Sequence, residues 1–509
     1  VSRSTAWDCL GHHLYDTCLL ESIRSTLYWD QNTHMPVSGA TWRGEQLTLL
    51  ARQLHQRQSS PDYAALVADA RSEWEQDTRS GRLTDTESQK RERNLDLLIL
   101  DLQRQQRQDP NLVSELAMAK AKGYSLWQNA RAASDFSLFA PALRQLVSLR
   151  QEQANQLAEP RSCWETLAQP FEPDLQLDRL LELFAPLKQH LPELLDQVNA
   201  ASRPKHPSWD LSASQQQRLC NQLFQEWGRD LSITSVAKSA HPFSITLGPR
   251  DFRLTSRVVS GRPLSCFLAT AHEWGHSLYE QGLPTASHQW SPWPLGQATS
   301  MAVHESQSLF WENRVARSEP FAQRWWQRFR SEGAPLESAS MFWRAMNPIA
   351  PGTSRVESDE LSYGLHIIIR TDLELALLEQ GLPVEDLPSE WNRRYQELLG
   401  VTPSHDAEGC LQDVHWSEGA FGYFPSYLLG HLLSAQLSEA MEAAIGAPEE
   451  HIACGDMTRL LTWLREHVHS VGRALNTEGL VQKVSGHSLT SEAFLTYLKA
   501  KLARLKSTD

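Results

Sequence analysis

Cys266-Phe267-Leu268-Ala269-Thr270-Ala271-His272-Glu273-Trp274-Gly275-His276-Ser277-Leu278-Tyr279 is the stretch on which the reading of this chain turns. The spacing predicts a helix. Phe267, Leu268, Ala271, Leu278 and Tyr279 are apolar, and Gly282 followed by Pro284 is a stop signal. Within it, His272-Glu273-Trp274-Gly275-His276 has the form H-E-x-x-H. Residues four apart stand on one face of a helix, so both imidazoles can reach one ion. Glu273 then lies beside that ion, placed to receive a proton from its water. Gly275 lowers helix propensity by about 1 kcal/mol, so this helix needs tertiary support. So short a pattern also arises by chance, and a lone histidine on an apolar helix is more often a core residue. A third ligand decides.

Thr299-Ser300-Met301-Ala302-Val303-His304-Glu305 opens a second predicted helix that runs to Glu312, with Ser300 as its N-cap. Glu305 lies within its first two turns. A carboxylate arriving from the next helix gives two histidines and one glutamate with an open water position. His304 and Glu312 are rivals, since Glu312 falls two turns on and nearly on the same face. A purely structural zinc site is disfavoured, because such sites use four ligands rich in cysteine. Only Cys266 is near, and it lies off the ligand face.

The chain has 509 residues, a hydrophobic content of 41% and a charged content of 21%, which describe a globular protein. A net charge of −13 argues against nucleic acid as a partner. Leu, Ala, Gln, Glu and Arg dominate and β-branched runs are scarce, so the fold class is mainly α. The seven cysteines are scattered and form no C-x-x-C pair, which reads as reduced thiols. No apolar run has membrane-spanning length, and Val1-Ser2-Arg3-Ser4 opens no signal-peptide core. A cytoplasmic location is expected, with no membrane partner.

Residues 1 to about 235 read as successive helices. Leu14, Cys18, Leu19, Ile23 and Leu27 recur at helical spacing, and Trp29-Asp30 through Pro36 breaks that pattern. Glu73–Gln108 reads as a solvated helical hairpin. Pro160, Pro170, Pro173, Pro186 and Pro192 mark helix starts and breaks. Phe243–Leu247 and Phe252–Val259 alternate and are β-rich, with Gly248-Pro249-Arg250 as a turn. They predict a small antiparallel hairpin beside the H-E-x-x-H helix, whose edge either holds an extended peptide or merely covers that helix. Trp290-Ser291-Pro292-Trp293-Pro294 reads as a loop. No strong domain boundary stands out, so residues 1–509 are expected to form a single domain. Its metal and substrate motifs fall within about 236–430, and a C-terminal helical part follows over about 431–509.

Several further motifs resemble the M32 family of metallocarboxypeptidases. Beyond His272–His276 and His304-Glu305-Ser306, Asp251-Phe252-Arg253-Leu254-Thr255 is similar to that family's D-x-R-x-T. Gly409-Cys410-Leu411-Gln412-Asp413-Val414-His415-Trp416 is similar to its G-x-x-Q-D-x-H-W. His241-Pro242-Phe243, Trp29-Asp30 and Gly422-Tyr423-Phe424-Pro425 are also similar. The family's I-R-x-x-A-D stands here as Ser354-Arg355-Val356-Glu357-Ser358-Asp359, with serine at both the Ile and the Ala positions. The resemblance runs from about residue 10 to about residue 500.

The resemblance implies one mostly helical domain with a long central groove and the metal at its floor. It implies one divalent metal ion per chain, zinc with cobalt as the substitute, and commonly a homodimer. The implied reaction is the removal of single residues from the free C-terminus of peptide substrates, with broad side-chain preference. His272, His276 and Glu305 would be the ligands and Glu273 the general base. Tyr423 and His415 are candidates for stabilising the oxyanion. A terminal carboxylate calls for an arginine that can donate two parallel hydrogen bonds. Arg355 is the first choice and Arg253 the second, with His241, Gln412 and Asp413 shaping the substrate groove. The alternative is an endopeptidase or aminopeptidase with the same metal helix but no carboxylate anchor.

Overall fold

The computed structural model describes residues 5–157, 159–198, 204–286 and 292–507. Val1–Ser4 and the Trp290-Ser291 half of the tryptophan-rich loop lie outside the described residues.

Helices carry most of the chain, as the composition predicts. The largest hydrophobic core extends from Trp127 to Leu505 and takes in Phe267, Ala271, Trp274, Leu278 and Tyr279 of the H-E-x-x-H helix. Tryptophan is abundant because it fills this interior: Trp164, Trp274, Trp311, Trp325 and Trp391 are fully buried. The N-terminal helices add a smaller cluster of their own around Leu10, Leu14, Tyr63, Val67, Leu95 and Leu98.

Two local expectations change. The first helix runs from Ala6 to Thr33, so Trp29 and Asp30 are helical and Trp29 is buried. Leu19 and Ile23 point to solvent, at 47% and 49% exposure, while Leu14 packs inward. Pro186 and Pro192 do not break a helix. Both lie inside Leu177–Asp196, whose apolar face buries Leu180, Leu183, Phe184, Leu187, Leu191, Leu194 and Leu195. That burial outweighs the backbone hydrogen bonds that the two prolines remove.

The expected hairpin is present as β2 (Ser244–Gly248) and β3 (Asp251–Ser256), antiparallel, with an irregularity at Thr246/Gly248. A third strand, β1 (Thr234–Lys238), pairs parallel to β3 and makes the sheet mixed, in the order β1-β3-β2. Phe252 and Leu254 of β3 are buried. Leu254 belongs to the same main core as the H-E-x-x-H helix.

Candidate metal centre

The H-E-x-x-H helix spans Ser265–Gly282. Its propensity deficit at Gly275 has a packing cause. A Cβ there would sit 2.6 Å from Ser308 Cα and 2.8 Å from Gln307 O, so the two helices cross at a distance only glycine allows. The crossing helix is Met301–Leu309, continued by a wider π-helical segment, Phe310–Ala316. Ser300 caps it as expected, accepting from Val303 N at 3.2 Å. On its other side Gly430 meets Glu305: a Cβ there would lie 2.8 Å from Glu305 Cγ.

The crossing brings His272, His276 and Glu305 together, with one potential ligand atom from each lying within 4.8 Å of the others. Glu305 Oε2 is 3.7 Å from His272 Nε2 and 3.4 Å from His276 Nε2. The donor set, two imidazole nitrogens and one carboxylate, suits a divalent cation with an open position. Among the described residues this is the only such cluster.

The two rivals take other places. Glu312 accepts from His272 Nδ1 at 3.0 Å and holds Arg317 through Nη2 at 2.8 Å. His304 Nδ1 lies 2.6 Å from His276 Nδ1, and its Nε2 is 2.9 Å from Glu280. Both ligand imidazoles are thus held from behind with Nε2 facing Glu305, an arrangement that fixes ring orientation and tautomer.

Charge supports the same reading. Burial opposes ionisation of Glu305, yet His272 and His276 hold its carboxyl down to about 2. Burial likewise opposes ionisation of Glu312, and Arg317 and His272 bring it to about 2. Against its own burial, His272 is driven up to about 10 by Glu305 and Glu312. A site that pulls a proton so strongly onto an imidazole is one that favours positive charge. Glu273 is buried and its carboxyl is pushed up to about 7, first by burial and then by Glu305 and Glu312, despite His272.

A second group of side chains gathers around Arg355. Its Nε donates to Asp413 at 2.9 Å and its Nη1 to Tyr363 Oη at 3.3 Å. Arg370 Nε takes the other Asp413 oxygen at 2.6 Å. Arg355 Nη2 has no hydrogen-bond partner among the described residues, and the side chain is buried. Gln412 accepts from Arg355 N at 2.9 Å and donates to Thr353 O at 3.0 Å. Gln412 and Asp413 therefore hold Arg355 in place. The two serines of the altered motif leave that packing intact: Ser358 Oγ pairs with Ser362 Oγ at 2.9 Å.

Tyr423 packs edge-on against Phe171 and lies 5.3 Å, centroid to centroid, from the His415 ring. Burial pushes its hydroxyl up to about 12, so it remains a neutral donor. His415 Nε2 is 3.3 Å from Tyr427 Oη, its Nδ1 is buried without a partner, and burial holds the ring down to about 4. Arg253 is already engaged, with Nε and Nη2 on the two oxygens of Asp251 at 2.8 and 2.7 Å. Together with Trp29, Asp30, His34 and Lys238 it lines a cavity of about 660 Å³ between the first helix and β1. His241 is exposed in the loop before β2.

Sequence reasoning did not single out Tyr427 or His431. The Arg355 guanidinium lies 5.1 Å from the Tyr427 ring centroid, and the His431 ring is 5.4 Å from that of Tyr363. Their four-residue spacing after Tyr423 was the available signal.

A half-buried two-histidine, one-glutamate cluster on crossing helices, with a carboxylate beside the first histidine, defines a metallopeptidase-type centre. The chain belongs to the M32 family of metallocarboxypeptidases: the family model described as Carboxypeptidase Taq (M32) metallopeptidase matches residues 10–502. It is 36% identical to Thermostable carboxypeptidase 1 of Thermus thermophilus, over 99% of this chain and 100% of that protein. It is 33% identical to Carboxypeptidase 1 of Bacillus subtilis, over 94% of each. The crystal structure of an M32 carboxypeptidase from Deinococcus radiodurans R1 superposes with a TM-score of 0.91 at 31% identity, covering 99% of this chain and 100% of that one. The chain is therefore a metal-dependent carboxypeptidase acting on peptides.

Proposed function

We propose that this enzyme removes single residues from peptide C-termini with broad side-chain preference, with zinc held by His272, His276 and Glu305. The observation that carries this reading is the meeting of those three side chains within 4.8 Å. Once bound, the divalent metal polarises the scissile carbonyl and lowers the pKa of water. The remaining work belongs to the chain. Glu273 takes the proton of the attacking water and delivers it to the leaving amine. The neutral Tyr423 hydroxyl donates to the oxygen on which negative charge develops, with His415 behind it. Arg355, held by Asp413 and Tyr363 with Nη2 left over, receives the terminal carboxylate. Arg253 is the weaker candidate, because Asp251 holds its Nε and Nη2 and it lines the cavity between the first helix and β1, whereas Arg355 lies against Tyr427, which packs on Tyr423. Two imidazoles and one carboxylate are a ligand set that zinc takes in catalytic sites.

Residues 1–509 are proposed as one catalytic unit, working as a homodimer in the cytoplasm. Cys9, Cys163, Cys220, Cys266, Cys410 and Cys454 are free thiols, which fits a reducing compartment.

Timed mass spectra of digests of one peptide, as free acid and as C-terminal amide, test the activity. A ladder of single losses from the C-terminus of the acid alone is expected. Internal cuts, losses from the N-terminus, or equal rates on acid and amide would overturn it.

A further inference from the structure

Glu172 is remote in sequence from every motif above and is 2% exposed. It has no ion-pair partner among the described residues. Its Oε1 accepts from Ala302 N at 2.6 Å and from Ser426 Oγ at 2.7 Å. Beside it, Thr477 Oγ1 donates to Ser300 Oγ at 2.9 Å. The preceding residue repeats the pattern: Phe171 O accepts from Met301 N at 3.0 Å, and the Phe171 ring packs edge-on against Tyr423 at 4.9 Å.

These partners sit at two helix starts. Met301 and Ala302 open the helix that carries Glu305. Ser426 is in the first turn of Pro425–Ile445, which follows directly from Tyr423 and carries Tyr427. The first N–H groups of any helix lack intrahelical partners, and its N-terminal end favours negative charge. Burial pushes the Glu172 carboxyl up to about 7, and its hydrogen bonds at the two helix ends work against that burial in place of a cation. One oxygen atom thus ties the first turn of the ligand-bearing helix to the first turn of the tyrosine-bearing helix.

We propose that Glu172 is a positioning residue: by bridging Ala302 and Ser426 through one oxygen, it fixes Glu305 against Tyr423. This rests on the roles proposed above for those two residues. Catalysis is sensitive to small misplacements of reacting groups, so a loosened bridge acts on turnover more than on substrate affinity.

The test uses Glu172→Gln in the full-length, metal-loaded enzyme. The amide keeps the shape, but it carries no charge to set against the two helix ends and its one oxygen is a weaker acceptor for Ala302 N and Ser426 Oγ. Turnover should fall by about tenfold or more with KM within about threefold, and the metal dissociation constant should rise by roughly tenfold in chelator competition. In a double-mutant cycle with Tyr423→Phe, the two losses in kcat should be strongly non-additive. A folded Glu172→Gln protein whose kcat and metal affinity both stay within about twofold of wild type would overturn the proposal. So would additive losses together with unchanged metal affinity. Should Glu172→Gln fail to fold, Ser426→Ala removes one arm of the bridge and should give a smaller loss of the same kind. An unaltered Ser426→Ala enzyme would then overturn it. Metal affinity is read without turnover, so a failure of the peptidase reading would leave this outcome separately visible.

Discussion

His276 Nδ1 and His304 Nδ1 lie 2.6 Å apart, and His304 Nε2 lies 2.9 Å from Glu280. Two ring nitrogens at that distance share one proton. Glu280 assigns it, because a carboxylate accepts from His304 Nε2–H and leaves Nδ1 as an acceptor. His276 then donates from Nδ1 and keeps Nε2 for the ion. Glu280 is itself held by Thr246 of β2, at 3.1 Å. Replacing His304 with alanine should weaken metal binding by about ten- to a hundredfold. Glu280→Gln, whose amide oxygen can still accept from His304, should weaken it less. Chelator competition on purified protein checks both. Unchanged affinity in His304→Ala would remove this residue from the site's support.

Glu305 and Glu312 share one helical element but face different atoms of His272, Nε2 and Nδ1 respectively. Glu305→Gln should lose most bound metal. Glu312→Gln should retain it at stoichiometric metal and show a dissociation constant raised by roughly tenfold, as an outer partner does. Metal content by elemental analysis separates the two, and the reverse result would make Glu312 the ligand.

How these pieces could be read in advance depended on their range. The H-E-x-x-H helix, the Ser300 cap and the hairpin are local patterns, legible in a few residues each. Glu305 was legible because it falls within the first two turns of the next α-helix after the histidine pair. The support of His276 was not, since it needs Glu280 and His304 to meet across two helices. Nor was the bridge at Glu172, which lies 130 residues from Ala302 and 254 from Ser426. The strand Thr234–Lys238 is short and mostly unburied, so only its pairing with β3 reveals it. Gly275 looked like a weakness of the helix, and its reason is the backbone of Ser308 beneath it.

Glu374 predicts a pH dependence of stability. It is fully buried and accepts from Trp164 Nε1, Trp416 Nε1 and Gly422 N, each at 2.9 Å. Burial pushes its carboxyl from 4.5 up to about 7, against those three hydrogen bonds. The folded state therefore holds the proton more tightly than the unfolded state. The resulting stability is present below the ordinary carboxyl range and is lost as pH rises through about 7. Its size is about 2–3 kcal/mol between pH ~5 and ~8. Glu374→Gln lacks this dependence, so the stability of wild type relative to the variant should fall over that interval. Thermal unfolding of both proteins at the two pH values measures it, and a pH-independent difference would sink the assignment.

Arg355 carries the prediction about where the enzyme cuts. A metal centre alone would hydrolyse whichever carbonyl reached it, so restriction to the last bond needs a fixed cation beyond that bond. Arg355 is buried, and Asp413 and Tyr363 hold its guanidinium through Nε and Nη1. Burial works against its charge, but Asp413 more than compensates and drives its pKa well above the usual range, so it stays protonated. Its Nη2 remains for a substrate oxygen. Losing a charged contact in such a setting costs about 2–5 kcal/mol. Arg355→Ala should therefore lower kcat/KM on free-acid peptides by roughly a hundredfold or more. Removing Arg355 also leaves Asp413 with Arg370 as its remaining partner, so structural damage must be told apart from a lost anchor. The amidated peptide does this. It has no terminal carboxylate, and its low residual rate should be nearly the same in wild type and variant. Damage to the metal centre would lower both rates together. If only Arg253→Ala shows the selective loss on the free acid, the anchor lies in β3, and Arg355 serves to hold Asp413.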